Sequence, residues 1–316
     1  MKTKQELRLY FENGDKPTQE HFWAWLDSYW HKDEKIDMTQ IAGLENGVPD
    51  GNEIHAEVDK EGNAFLIKKM VIKPGTVTIP SIFSANSKLT DLSIPQGITN
   101  IGDNAFSYNF LTALELPNSI VNIGDAAFMN NQLKTLNIPN NTTRIGVNAF
   151  SNNKLTEISI PDSITYIGGS AFNSNLLTSV NIPNSVTTIG SSAYTNNLLT
   201  SVIIPGNVTN VEQATFMNNK LTSVTIQQGV KRIDSNAFQN NKLSSISFPE
   251  SILYIGEFAF TDNQLTTIEI SENVERIVYG AFMNNQLTKV SLGKNTEYYQ
   301  TSFDAGVEIV GGKMIG

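Results

Sequence analysis

The sequence contains no cysteine, which excludes disulfide staples, thiolate metal sites and thiol nucleophiles. Histidine and tryptophan are nearly as scarce, and His21, His31, His55, Trp23, Trp25 and Trp30 all lie near the start. Everything after His55 therefore lacks the commonest general base and the commonest metal ligand. His21 and His31 are ten residues apart and fit no metal-ligand spacing. Basic residues are outnumbered, 22 Lys and Arg against 31 Asp and Glu, for a net charge of -9. That balance disfavours nucleic acid, whose phosphates are bound by clustered Lys and Arg, and it disfavours an anionic membrane surface for the same reason. No stretch approaches the roughly 20 consecutive apolar residues of a membrane helix, so no membrane insertion is expected. Met1 to Asp15 is also too charged to hold the apolar core of a signal peptide, which leaves cytoplasmic, virion-associated and surface locations all open.

What is present is a period. Leu89, Leu111, Leu133, Leu155, Leu177, Leu199, Leu221, Leu243, Leu265 and Leu287 follow one another at intervals of 22 without a slip. With that Leu as position 1, apolar residues fill positions 4 and 6, as in Leu136 and Ile138, between mostly polar neighbours. This is the alternation of a strand with one buried face. Pro at position 7, as in Pro117, Pro139 and Pro161, ends the strand by removing a ladder donor. A second extended piece follows with apolar positions 10 and 13. Gly at position 14, as in Gly124 and Gly146, permits the backbone to turn where a side chain would obstruct it.

Ala-Phe at positions 17 and 18 recurs from Ala105-Phe106 to Ala281-Phe282, which predicts a helical or 3-10 turn plugging the core from the far side. Position 21 is Asn in every complete unit, from Asn109 to Asn285, and a stack of such side chains can satisfy backbone groups left unpaired at a bend. One unit buries too few apolar side chains to offset the ordering of 22 backbones. Only stacked units close that gap.

These residues carry a family resemblance. The pattern LxxLxIPxxVxxIGxxAFxxN, as in LTSVNIPNSVTTIGSSAYTNN from Leu177 to Asn197, resembles the BspA-like leucine-rich repeats of bacteria and some protists. It departs from the usual pattern in carrying Asn where Cys is common and in lacking one residue before the next Leu. The resemblance implies a surface protein that binds host matrix proteins, cells or other bacteria. The expected fold is a leucine-rich-repeat solenoid, β-rich with one short helical or 3-10 turn per coil, plus a small N-terminal helical module.

The expected divisions are a helical hairpin at 1–42, a linker with a possible β-hairpin at 43–69, an N-terminal capping half-coil at 70–88 anchored by Phe83, the solenoid at 89–292 and a C-terminal cap at 293–316 with Tyr298, Tyr299 and Phe303. In the first of these, Lys4 to Asn13 and Thr18 to Trp30 read as helices. Phe22, Trp23, Trp25 and Trp30 are a candidate surface for self-association or docking. FWAWLDSYWHKDEKI, Phe22 to Ile36, resembles the leader of some prophage tail-fibre and structural proteins of Bacteroidetes-type bacteria, which implies a virion component as the alternative function.

Phosphate-loop, calcium-loop and nucleophile motifs are absent. Glu115, Glu157 and Glu269 are scattered carboxylates, read as solvated surface charge. No enzyme, cofactor or metal site is expected, and the leading function is non-catalytic recognition of a protein or glycan ligand. The candidate binding column is position 12, where Arg144, Tyr166, Arg232, Tyr254 and Arg276 replace bland residues. Arg and Tyr offer stacking area with carboxylate or sugar recognition, whereas ordinary surface diversity would also place them there. The Ser- and Thr-rich strand face, as at Thr178, Ser179 and Asn181, is a second candidate platform.

Overall fold

The 22-residue period of the sequence is the length of one turn of the chain. The computed structural model describes residues 53–58, 65–71, 77–79 and 89–315. The expected helices within 1–42, the Phe22, Trp23, Trp25 and Trp30 cluster, the tail-fibre-like leader and Phe83 lie outside the described residues.

Most coils contribute two short strands to two parallel stacks, and those opening at Leu111 and Leu177 contribute the second strand alone. One stack uses positions 3 to 5 or 6, as in Thr135–Asn137 beside Glu157–Ser159 and Ser201–Ile204 beside Ser223–Ile226. The other uses positions 12 and 13, as in Asn122–Ile123, Arg144–Ile145 and Tyr166–Ile167 in consecutive register. Residue 13 of the unit points inward, and Ile123, Ile145, Ile167, Ile233, Ile255 and Ile277 are fully buried. The strand Phe65–Val71 extends the first stack, with Met70 opposite Leu92, and on its other side it pairs antiparallel with Glu53–Val58. At the other end the spacing shortens but the rows continue: Glu297 pairs with Arg276, Glu308 with Lys289, and Phe303 stacks on Phe282 at 5.3 Å.

The third side differs from the helical or 3-10 turn expected for Ala-Phe. Among the described residues a 3-10 helix occurs only at Gln300–Ser302, where the spacing has shortened. Elsewhere positions 16 and 20 adopt left-handed backbone, as at Asn148 (φ 55°), Asn152 (φ 54°), Asn236 (φ 61°) and Asn240 (φ 55°). Asn tolerates this conformation because its short polar side chain bonds locally. The alternation aims the N–H groups of positions 16, 18 and 20 along the stack, so that Asn148, Phe150 and Asn152 donate to Gly169, Ala171 and Asn173 of the next coil. A helical turn would spend those donors within its own coil. The solenoid needs them between coils.

Two buried columns run inside this turn. The rings at position 18, from Phe106 to Phe282, stack in sequence with centroids 5.2–5.8 Å apart. Beside them the Asn at position 21 bridges three strands of backbone. Its Oδ1 accepts the N–H of the Leu that opened the coil, at 3.0–3.1 Å, as Asn153 does for Leu133. Its Nδ2 donates to the carbonyl of the ring residue in its own coil and to that of the ring residue in the preceding one, as Asn153 does to Phe150 and Phe128. Gly at position 14 has a reason distinct from turning. A Cβ on Gly146 would lie 2.5 Å from the backbone of Gly124, and one on Gly168 would lie 2.5 Å from Gly146. The glycines let neighbouring coils touch.

One coil breaks the ring column chemically. Tyr194 replaces Phe, and its hydroxyl is buried without a partner, so burial pushes the phenol well above its ordinary pKa. Removing an unsatisfied buried hydroxyl gains about 1–3 kcal/mol, so Tyr194→Phe should stabilise the protein by that order in urea unfolding. A pKa raised in the folded state gives stability that is present below the unfolded value near 10 and is lost as pH rises above it. The stability of the parent should therefore fall above about pH 10 more steeply than that of Tyr194→Phe. Asn197→Ala should cost about 1–3 kcal/mol, since it strands the buried Leu177 N–H, while the Phe172 and Tyr194 carbonyls keep a second donor in Asn175 and Asn219. Asn181→Ala on the exposed strand face should change stability by less than about 0.5 kcal/mol.

Candidate binding surface

With residue 13 locked into the core, residue 12 of the same strand must face outward. The structure sets the candidate residues in one column. Tyr166 lies opposite Arg144, and Arg232, Tyr254 and Arg276 occupy three consecutive coils. They form two stacks and an ion pair instead of one continuous ladder. The Arg144 guanidinium carbon sits 4.1 Å from the Tyr166 ring centre, and that of Arg232 sits 3.9 Å from the Tyr254 ring centre. Arg276 hydrogen-bonds Glu297 on the next coil. That hydrogen bond, with the adjacent carboxylate charge, raises the Arg276 pKa.

Carboxylates accompany the stacked arginines as well. Arg144 lies 3.8 Å from Asp125, and Arg232 lies 3.1 Å from Asp234. Asp103 and Asp125 each accept a backbone N–H of the following coil, from Asp125 and Val147, at 2.8 Å, which holds them in place. On the side of Arg144 away from Tyr166, a groove of about 520 Å³ is lined by Thr78, Asn100, Asn122, Asp103, Asp125 and Arg144. Asn100 and Asn122 belong to the same column as Arg144 and were readable as such from the period. Asp103 and Asp125 were not, because position 15 comes beside position 12 of the next coil only once the coils stack, whereas Asp234 stands two residues beyond Arg232 in the same coil.

The second candidate face is exposed at Thr178, Ser179 and Asn181, but its position-2 hydroxyls are already engaged. Thr200 and Thr222 donate to the Thr178 and Thr200 carbonyls at 3.5 and 3.2 Å. These bonds tie coils together. Glu115, Glu157 and Glu269 are exposed and separate. Nothing in the period signals Phe258, whose φ of 54° is unusual for so large a residue. Its ring packs edge-on to the exposed Tyr279 at 5.2 Å, in space kept open by Gly280. The local inter-coil bonds Phe258 to Tyr279 and Asp262 to Met283 are both 3.2 Å, where most equivalents are 2.6–3.0 Å.

A family model described as a BspA-type leucine-rich-repeat region, in six copies, matches residues 77–200 and 187–306. No curated protein matches the chain. Solved structures with similar folds include a leucine-rich cell-surface protein of Faecalibacterium prausnitzii A2-165, at 19% identity and TM-score 0.44 over 82% of this chain and 86% of that one. The pneumococcal vaccine antigen PcpA is similar at 13% identity and TM-score 0.41, over 84% and 98%. A leucine-rich-repeat protein of Bacteroides ovatus is similar at 17% identity and TM-score 0.29, over 85% and 99%.

Exposed ion pairs and stacked surface side chains contribute little to folding. Arg144→Ala and Tyr254→Ala should therefore leave unfolding free energy within about 0.5 kcal/mol of the parent, whereas Phe150→Ala in the ring column should cost about 3–5 kcal/mol. Urea denaturation of the three variants checks the division between outward and inward columns.

Proposed function

Because the chain belongs to the BspA-type leucine-rich-repeat family, we propose that it is a non-catalytic binding and adhesion protein whose position-12 column receives a protein or glycan ligand. The reading includes display at a bacterial surface, which the family implies. The observation that carries it is the pre-stacking of Arg144 on Tyr166 and of Arg232 on Tyr254. Arg and Tyr are the residues most often responsible for binding energy at interfaces. Side chains already ordered before contact lose less entropy when a ligand arrives. The column is also straight and rigid, since every residue 12 is held by a buried residue 13.

Among the described residues the rest of the surface offers less. No three His, Asp or Glu side chains converge as a metal site, and no helix is long and apolar enough to cross a membrane. On the strand face the hydroxyls of Thr156, Thr200, Thr222 and Thr266 are spent on neighbouring coils.

The reading is checked with a panel of immobilised matrix proteins and glycans. The parent should bind at least one member without turning it over. A combined Arg232→Ala, Tyr254→Ala and Arg276→Ala variant, folded by circular dichroism, should bind about tenfold or more weakly, the loss expected when interface anchors are truncated. Parental affinity in that variant would move the site off this column, and chemical conversion of a panel member would overturn the non-catalytic reading.

A further inference from the structure

The two Arg-Tyr stacks are copies of one arrangement. Arg232 and Tyr254 each lie 88 residues, or four coils, beyond Arg144 and Tyr166. Each stack has a carboxylate beside its guanidinium, Asp125 in the first and Asp234 in the second. The acids come from different places, Asp125 from position 15 of the preceding coil and Asp234 from position 14 of the same coil. The same trio of ring, guanidinium and carboxylate is thus reached by two routes. With coils about 4.8 Å apart, the trios are separated by roughly 19 Å along the solenoid.

We propose that these two trios are a pair of subsites for one linear neutral polysaccharide lying along the solenoid axis. The proposal rests on the assignment of ligand binding to the position-12 column. A sugar hydroxyl both donates and accepts, and a guanidinium beside a carboxylate offers one of each. An aromatic ring supplies the flat apolar face on which a sugar ring packs. Arg144 and Arg232 each cover one face of their ring; on the other side the paired position holds the small Thr188 beside Tyr166 and, beside Tyr254, Arg276, which is bonded to Glu297. The groove that ends at Arg144 and Asp125 of the first trio adds the amides of Asn100 and Asn122, again groups that both donate and accept.

The charge pattern selects against an acidic ligand. Each stacked arginine already has its carboxylate, the groove holds Asp103 as well as Asp125, and the chain carries a net charge of -9. An anionic polymer would meet paired cations and unpaired repulsion. The duplication points to length: two similar trios on one column favour a ligand that repeats, because the second contact is made at high effective concentration.

The test measures binding of the full chain to dextran, laminarin, galactan and xylan, with polygalacturonate as the acidic comparison, by isothermal titration calorimetry. At least one neutral polymer should bind. Its oligosaccharides too short to span roughly 19 Å should bind about 100-fold or more weakly, the scale of avidity for linked sites. Tyr166→Ala or Tyr254→Ala should reduce polymer affinity to the short-oligosaccharide level and halve the number of short oligosaccharides bound. The double variant should bind neither. Preference for polygalacturonate, equal affinity for short and long chains, or indifference to both tyrosines would overturn the proposal. A panel protein bound through Arg232, Tyr254 and Arg276, with no neutral glycan bound, would overturn it while leaving the position-12 assignment standing.

Discussion

The closure of each coil by its Asn at position 21 is the contact on which the rest of the structure depends. One side chain accepts the N–H of Leu at position 1 and donates to two ring-residue carbonyls, one in its own coil and one in the coil before. It therefore closes the coil and fixes it in register with the one before. The site is buried, so these bonds are formed away from competing water; loss of the Asn strands the Leu N–H, while each ring carbonyl keeps a second Asn donor from the neighbouring coil. An aspartate or glutamine at that position does not reproduce both the donor pair and the reach.

Register set in this way explains the columns. Once coils superimpose residue on residue, like residues meet like: rings stack on rings, glycines leave room for glycines, and threonine hydroxyls reach the carbonyl one coil away. The arrangement tolerates departures where a column has slack. Thr142 replaces an aliphatic residue in the core column at position 10 and is satisfied by the Ile120 carbonyl. Tyr194 has no such partner. Phe258 occupies a left-handed position that small residues or Asn fill elsewhere, and the two bonds around it lengthen to 3.2 Å. Strain of this kind concentrates where a surface is under selection for contact and not for packing.

The same constraint creates the candidate binding face. A residue that alternates with a buried neighbour is free to vary, yet it cannot move, because the neighbour holds the strand. Arg144, Tyr166, Arg232, Tyr254 and Arg276 share that condition. Their side chains are then sorted by what the adjoining coils supply: a ring for Arg144 and Arg232, a carboxylate for Arg276. Recognition along such a surface is distributed over coils and not concentrated in a cavity, which suits extended ligands.

The sequence by itself determined the repeat, the coil length, the inward columns and the outward column at position 12, because each is a statement about spacing along the chain. It also marked Asn at position 21 as a bend residue. Only the tertiary structure decided that the Ala-Phe stretch is a left-handed alternating turn and not a helical one, since φ at Asn148 or Phe258 is chosen by hydrogen bonds to another coil. The same is true of the glycines, whose purpose is contact between Gly146 and Gly124, and of Asp125 and Glu297 joining Arg144 and Arg276 across coils. Those relations depend on how the coils stack, and a one-dimensional pattern records which residues recur but not which atoms meet when the recurrences are stacked.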